Sequence, residues 1–253
     1  TGEITDLCEL DPREEFFVGV LGNEMLTRCI EYPIDNSTLI GEENHDAWDK
    51  NVQQSRMAHY TINPATGARA RLPKDYPSIG FGGSVLDGEY FYYNCVEDFT
   101  WNQGIDSIGP TPQPIYKVHL PTGETTIIYD GAESHDVNTG NIWDGKLFVY
   151  DADHTNYNRT TGEGELRENY FWLDLATGEK IEPGLYYTTP SEMTPSGERK
   201  NLVSPMADAG EYFLVITGQQ RVSEESWDSE RALILKEDYW ANKENYIPTT
   251  NLA

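Results

Sequence analysis

Basic residues are scarce in this chain: 18 Lys and Arg stand against 43 Asp and Glu, a formal net charge of −25 over 253 residues. A field of that sign repels phosphate backbones and anionic bilayer surfaces, so nucleic acid is excluded as an expected partner. The excess acid reads first as a solubilising surface, and it leaves cationic ligands and calcium open. Long apolar runs are also missing. The longest, such as Leu147 to Tyr150 and Phe213 to Ile216, fall far short of the roughly 18 residues that cross a bilayer, so no membrane span is expected. Cysteine is sparse: Cys8, Cys29 and Cys95 have no metal-type spacing, and buried free thiols are expected rather than a disulfide framework. The chain does not start with a basic segment followed by an apolar one. That fits a cytosolic protein or a mature chain without its export signal, and an extracellular or bacterial cell-envelope location is the expectation.

Chemical signatures are missing as well. No Gly-x-Ser-x-Gly elbow, His-Glu-x-x-His pair, phosphate loop or dinucleotide fingerprint occurs, which removes support for the corresponding hydrolytic, zinc and nucleotide chemistries. What the chain does have is aromatic side chains, 12% of residues including 16 Tyr, within an apolar fraction of 38%. That is enough for a real core, and a single domain over residues 1–253 is expected.

The chain also repeats itself. Thr-Gly followed by Glu or Ala occurs at Thr1-Gly2, Thr66-Gly67, Thr122-Gly123 and Thr177-Gly178, with the glycines spaced by 65, 56 and 55. Alternating strand-like runs precede the last three: "MAHYTINPA", "PIYKVHLP" and "NYFWLDLA". A fourth run, "RALILKEDYW" from Arg231, lacks the glycine turn. A second phrase keeps step, with "DGEYFYYNCV", "DGKLFVYDAD" and "AGEYFLVITG" placing Gly88, Gly145 and Gly210 before β-branched and aromatic strands, and "EEFFVGVLG" as a weaker first copy. Glycine between apolar runs signals a hairpin, because it accepts the positive φ of a tight turn. Each unit therefore reads as four antiparallel strands, in the second copy "GFGGSVL", "EYFYYNCV", "IYKVHL" and "ETTIIY". Helical periodicity is confined to the neighbourhood of Trp227 to Lys236.

Four-stranded units at this spacing match propeller blades, whose repeats run to about 40 to 50 residues, with enlarged loops. The run "YFWLDLATGEKI" resembles the strand-turn-strand signature of bacterial β-propeller repeats of the TolB and quinoprotein types. The resemblance implies an all-β propeller of four-stranded blades, either a five-bladed ring closed by the two termini or part of a larger propeller. It carries over no catalytic or cofactor residue. The sequence departs from better-defined families: Trp143-Asp144 lies in the Asp-Gly turn, and no Trp follows the Thr-Gly strand.

Blade connections alternate between two faces, so the short glycine turns share one face and the long connections the other. Expected long loops are Gly22 to Arg56, Val96 to Gln113, Asp151 to Glu168 and Gly218 to Glu230, with further ones between blades at Lys74 to Ile79, Asp130 to Asn141 and Thr188 to Lys200. Each of the first four pairs an aromatic with carboxylates: Asp46 and Trp48, Asp98 and Trp101, Asp153 and Tyr157, Trp227 and Asp228. A ring face beside hydrogen-bond acceptors suits a sugar, so these eight residues are the candidate ligand-binding set for a glycan, with a peptide as the other ligand such loops could grip. A Trp in an acidic loop also serves simply to pin that loop to its scaffold.

Other features are weaker. "DADHTNYNRTTGE" has calcium-loop residues at its first positions but Gly162 where a bidentate Glu is needed, so calcium is only an outside expectation and no cofactor is assigned. His45, His59, His119, His135 and His154 never fall at ligand spacing. The expectation is a non-catalytic extracellular propeller binding a glycan on its long-loop face. The alternatives are a glycoside-active enzyme using carboxylates of that face, or a protein-interaction scaffold.

Overall fold

In "DLATGEK" a strand ends at Asp174 and the chain must reverse within four residues. Gly178 does this at φ +75°. Its N–H donates to the Asp174 carbonyl at 2.8 Å, the Thr177 hydroxyl accepts from the Glu179 N–H at 3.2 Å, and the Asp174 carboxylate accepts from the N–H groups of Ala176 and Thr177 at 3.0 Å each. The Thr177 and Ala176 amides hold the Asp174 carboxyl below the usual carboxylate range. The same device recurs at two other Thr-Gly phrases, while the one at Thr1-Gly2 lies outside the described residues. Gly67 N–H reaches Asn63 O and Gly123 N–H reaches His119 O, both at 2.8 Å, while the hydroxyls of Thr66 and Thr122 accept from the residue after each glycine. The phrase repeats because one turn geometry repeats.

The computed structural model describes residues 15–39, 44–78, 81–95, 113–131, 135–158, 161, 163–190, 197–222 and 227–249. Strands β1 (Glu15–Leu21), β2 (Glu24–Glu31), β3 (Arg56–Ile62) and β4 (Arg69–Pro77) form a first sheet, with helix α1 (His45–Gln53) between β2 and β3. The second sheet holds β5 (Phe81–Asp87), β6 (Tyr90–Cys95), β7 (Ile115–His119) and β8 (Glu124–Tyr129). The third holds β9 (His135–Trp143), β10 (Lys146–Asn158), β11 (Glu163–Asp174) and β12 (Lys180–Ile181). A hairpin of β13 (Tyr186–Pro190) and β14 (Glu198–Leu202) follows. Strands β15 (Pro205–Ala209), β16 (Tyr212–Arg221) and β17 (Trp227–Leu235), helix α2 (Lys236–Trp240) and β18 (Ile247–Pro248) complete the last sheet.

Every four-stranded sheet is an antiparallel meander in chain order, with the Asp-Gly-type turn joining its first two strands. The first strands β1, β5 and β15 each carry a register shift, which strengthens the local twist. The fold is thus all-β, built of four-stranded antiparallel sheets. No closed ring of sheets is detected among the described residues, and the five-bladed propeller remains a proposal. The chain divides into two compact units, residues 1–142 with 147–169, and residues 143–146 with 170–253.

Several expected loops are ordered elements. Strand β2 occupies part of the Gly22–Arg56 connection, and "HDAWDKNVQ" is helix α1. The Asp151–Glu168 and Gly218–Glu230 connections are largely continuations of β10–β11 and β16–β17 into long ribbons. The connections at 74, 130 and 188 likewise contain the end of β4, the start of β9 and the β13–β14 hairpin. The helix expected near Trp227 to Lys236 begins only at Lys236, because Trp227–Leu235 pairs with β16. Cys29 is a free thiol and Cys95 is buried in the core, while Cys8 lies outside the described residues.

In the first unit one apolar layer is shared by the first two sheets: Leu26, Met57 and Tyr76 pack with Phe91, Tyr93 and Val118. His59 on β3 lies inside this layer, fully buried, its ring 4.5 Å from Phe91 and 5.4 Å from Tyr76, with neither nitrogen hydrogen-bonded. Burial, and secondarily the charge of Arg28, pushes its pKa from 6.5 down to about 4. In the second unit Phe213, Tyr239 and Trp240 stack edge to face at 5.0–5.8 Å, and the Tyr239 hydroxyl donates to Val203 O at 3.0 Å. Two glycine turns of this unit are tied by a lysine: Lys236 Nζ sits 2.9 Å from Asp144 and 2.6 Å from Asp208, and Trp240 Nε1 donates to Asp144 at 3.0 Å.

Gly178→Ala is expected to lower stability by about 1 kcal/mol in urea unfolding, since its Cβ meets no neighbour and only the positive φ is penalised. Between pH 6.5 and about 4 the unfolded chain binds a proton that folded His59 does not, so stability falls with pH by up to ~1.4 kcal/mol per unit from this group. His59→Leu should remove that part of the acid slope; an unchanged slope would contradict the assignment.

Candidate functional site

The eight residues singled out from the sequence fall in different places. Asp46 and Trp48 are on α1, where the exposed Trp48 ring lies 6.4 Å from His45 and His45 pairs with Asp49 at 3.3 Å. Asp98 and Trp101 lie outside the described residues. Asp153 and Tyr157 are on β10 in the first unit. Trp227 and Asp228 open β17 in the second unit, opposite Arg221 and Gln220 of β16.

Around Asp153 and Tyr157 the first unit carries a seam of polar side chains along the start of β9. Asp136 accepts from Gln113 Nε2 at 3.2 Å and lies 2.8 Å from His154 Nε2. Gln113, itself buried, accepts the Val137 N–H at 3.3 Å, and the Val137 carbonyl accepts from the buried Asn94 amide at 2.5 Å. On β10 the buried Asp151 accepts the Tyr129 hydroxyl, and burial together with that bond raises the Tyr129 pKa. Asp136 thereby fixes the orientation of the His154 ring, whose other nitrogen, Nδ1, is buried without a hydrogen bond. The Oδ1 of Asn94 and the hydroxyl of Thr139 are in the same condition. Tyr157 stands at the rim, its ring 5.7 Å from that of His154, and Asp153 accepts the Thr155 N–H at 2.8 Å.

Chemically the arrangement is a fixed imidazole and carboxylate next to a half-buried phenol ring, which suits hydrogen bonding and stacking. Of the stretch that resembles a calcium loop, residues 151–158 are part of strand β10 and Gly162 lies outside the described residues; among the described residues no group of three or more His, Cys, Asp and Glu is placed to hold a metal ion. Sequence reading missed Asn94, Gln113 and Asp136, because isolated polar residues carry no spacing signal.

No protein-family model matches the chain, and no curated protein matches it. Among solved structures it is similar to a variant of the apocarotenoid oxygenase of Synechocystis, at a TM-score of 0.38 and 11% identity, over 88% of this chain and 56% of that one. The chain thus spans about half the length of that protein, and so low a likeness carries no argument about fold or chemistry.

The seam depends on close approach of the second and third sheets at Gly83, where a Cβ would lie 2.7 Å from Thr139 N and closer still to Asn138 Oδ1. Gly83→Ala should therefore cost about 2 kcal/mol or more in chemical denaturation, well above the loss at Gly178, because backbone rather than a flexible side chain must move.

Proposed function

We propose that the protein is a non-catalytic binding module of the extracellular space or cell envelope, taking a glycan at the Asp153–Tyr157 end of β10. The observation that carries this reading is the Tyr157 ring beside His154, whose orientation Asp136 fixes at 2.8 Å. The C–H face of a pyranose stacks on such a ring while its hydroxyls take the neighbouring carboxylate and imidazole. The acidic field favours neutral or amine-bearing sugars over uronates and sulfated chains. Trp48 with Asp46, Trp101 with Asp98, and Trp227 with Asp228 are each proposed as further, separate ligand contacts. The scaffold we propose is a propeller whose meander sheets are blades, closed in a five-bladed ring or continued in a larger one.

A glycan array followed by calorimetry tests this. Tyr157→Ala should weaken binding of the retained glycan by about tenfold, the scale of a lost aromatic platform, and Asp153→Ala should also weaken it. A glycan held equally well by both variants, or no glycan retained by the wild type, would sink the assignment.

A further inference from the structure

Asp-Gly occurs three times in the chain, at Asp87-Gly88, Asp130-Gly131 and Asp144-Gly145. The dipeptide has a chemistry of its own. A glycine nitrogen, unshielded by any Cβ, can attack the side-chain carboxyl of the aspartate before it and close a cyclic imide. The attack needs a carboxyl free to turn and a glycine backbone free to swing towards it. The three copies differ in both respects.

At Asp144 the carboxylate is held at both oxygens: Oδ1 lies 2.9 Å from Lys236 Nζ, and Oδ2 accepts the Trp240 indole N–H at 3.0 Å. Gly145 is unobstructed, so the clamp on the carboxylate is what guards this copy. Asp130 is exposed, but the glycine after it is buried, and a Cβ on Gly131 would lie 2.4 Å from the Gln113 carbonyl oxygen and 2.9 Å from its nitrogen. The backbone there is wedged against its neighbour. Asp87 has neither protection. It is exposed, and among the described residues neither its carboxylate nor the Gly88 N–H makes a hydrogen bond or an ion pair. A Cβ on Gly88 would meet nothing within 4 Å. Asp87 ends β5, and its pairing with Tyr90 is the last rung before the turn, so fraying of a single pair frees it.

We propose that Asp87-Gly88 is a self-modification site at which this chain converts aspartate to isoaspartate, and that Lys236 and Trp240 protect Asp144 from the same reaction. The Gly88 nitrogen forms a bond to the Asp87 Cγ and one water leaves. Water then opens the imide at the Asp87 main-chain carbonyl, so that the chain continues through Cβ and Cγ and the former main-chain carbonyl becomes a free carboxylate. One water leaves and one returns, and no other reagent is consumed. The product carries an extra methylene in the main chain at the tip of the β5–β6 hairpin. That tip is tied to the Thr122-Gly123 turn of its sheet: the Glu89 carbonyl accepts the Leu120 N–H at 2.9 Å, and the Tyr90 ring lies 5.3 Å from that of His119. The modification therefore loosens a junction between two of the repeated turns. It is independent of the glycan reading.

Prolonged incubation of the folded full chain in neutral buffer, followed by peptide mapping with electron-transfer fragmentation, tests the proposal, since that fragmentation separates isoaspartate from aspartate at equal mass. Isoaspartate should accumulate at Asp87 about tenfold faster than at Asp130 or Asp144, the scale of one hydrogen bond to a charged group. In concentrated urea the three sites should react at similar rates. Lys236→Met should speed the reaction at Asp144 about threefold, the scale of an exposed ion pair, and leave Asp87 unchanged. Asp87→Glu, whose longer side chain closes the ring poorly, should abolish the product at this site. Equal rates at the three sites in the folded chain, no isoaspartate at Asp87, or the same ranking of sites in urea as in the folded chain would each overturn the proposal.

Discussion

A tight hairpin matches the right-handed twist of its two strands when a turn residue takes the left-handed region of φ, and this constraint organises the sheets. An ordinary L-residue there costs about 1–2 kcal/mol. Glycine fills the position at the turns that join first to second strands and again at the Thr-Gly turns. The exception is instructive. Asp144 lies at φ +48° just before Gly145, and its carboxylate takes both the Lys236 ammonium and the Trp240 indole N–H, so a strained turn residue is also the anchor of its unit. Once the turns are fixed, the alternation of side chains on each strand determines which face is buried.

This explains which parts of the fold were legible in sequence. The strands of the second copy were readable almost to the residue, because β6 and β7 bury apolar side chains between recognisable turns. Legibility failed where burial on one face fails. All eight residues from Glu163 to Tyr170 are exposed, so β11 gives no alternation there and its ribbon with β10 looks like a loop. In β2 the polar Thr27 and Arg28 interrupt the apolar pattern; the Thr27 hydroxyl donates to the buried Glu15 at 2.6 Å, a contact invisible in composition. Helix α1 buries only Asn51, whose carboxamide makes two bonds to the Ile34 backbone at 2.8 and 2.9 Å. A helix whose one buried residue is an amide leaves no hydrophobic stripe to find.

The candidate site was legible for the same reason in part only. Aromatic-acid pairs in polar stretches pointed to Asp153 and Tyr157, yet the residues that fix their surroundings, Asn94, Gln113 and Asp136, are separated by up to 42 positions in the chain. A buried carboxamide that bonds a neighbouring strand has the sequence signature of a surface residue. Its role becomes apparent only when the sheets are assembled, since burial is what makes each unmade hydrogen bond costly.

Charge, the most conspicuous feature of the composition, has a secondary part in the fold. Many of the scarce cations are tied into clamps: Arg71 lies between Glu31 and Asp75, Arg69 pairs with the buried Glu15 while its guanidinium covers the Tyr60 ring, and Lys236 joins two turns. Most of these pairs are partly exposed and weaken with salt, whereas the turn hydrogen bonds and the apolar layers are far less screened. The backbone turns and apolar layers therefore determine the architecture more than the ion pairs do. The net charge of −25 adds a field that opposes anions before any particular contact is made, and salt screens it over about 10 Å.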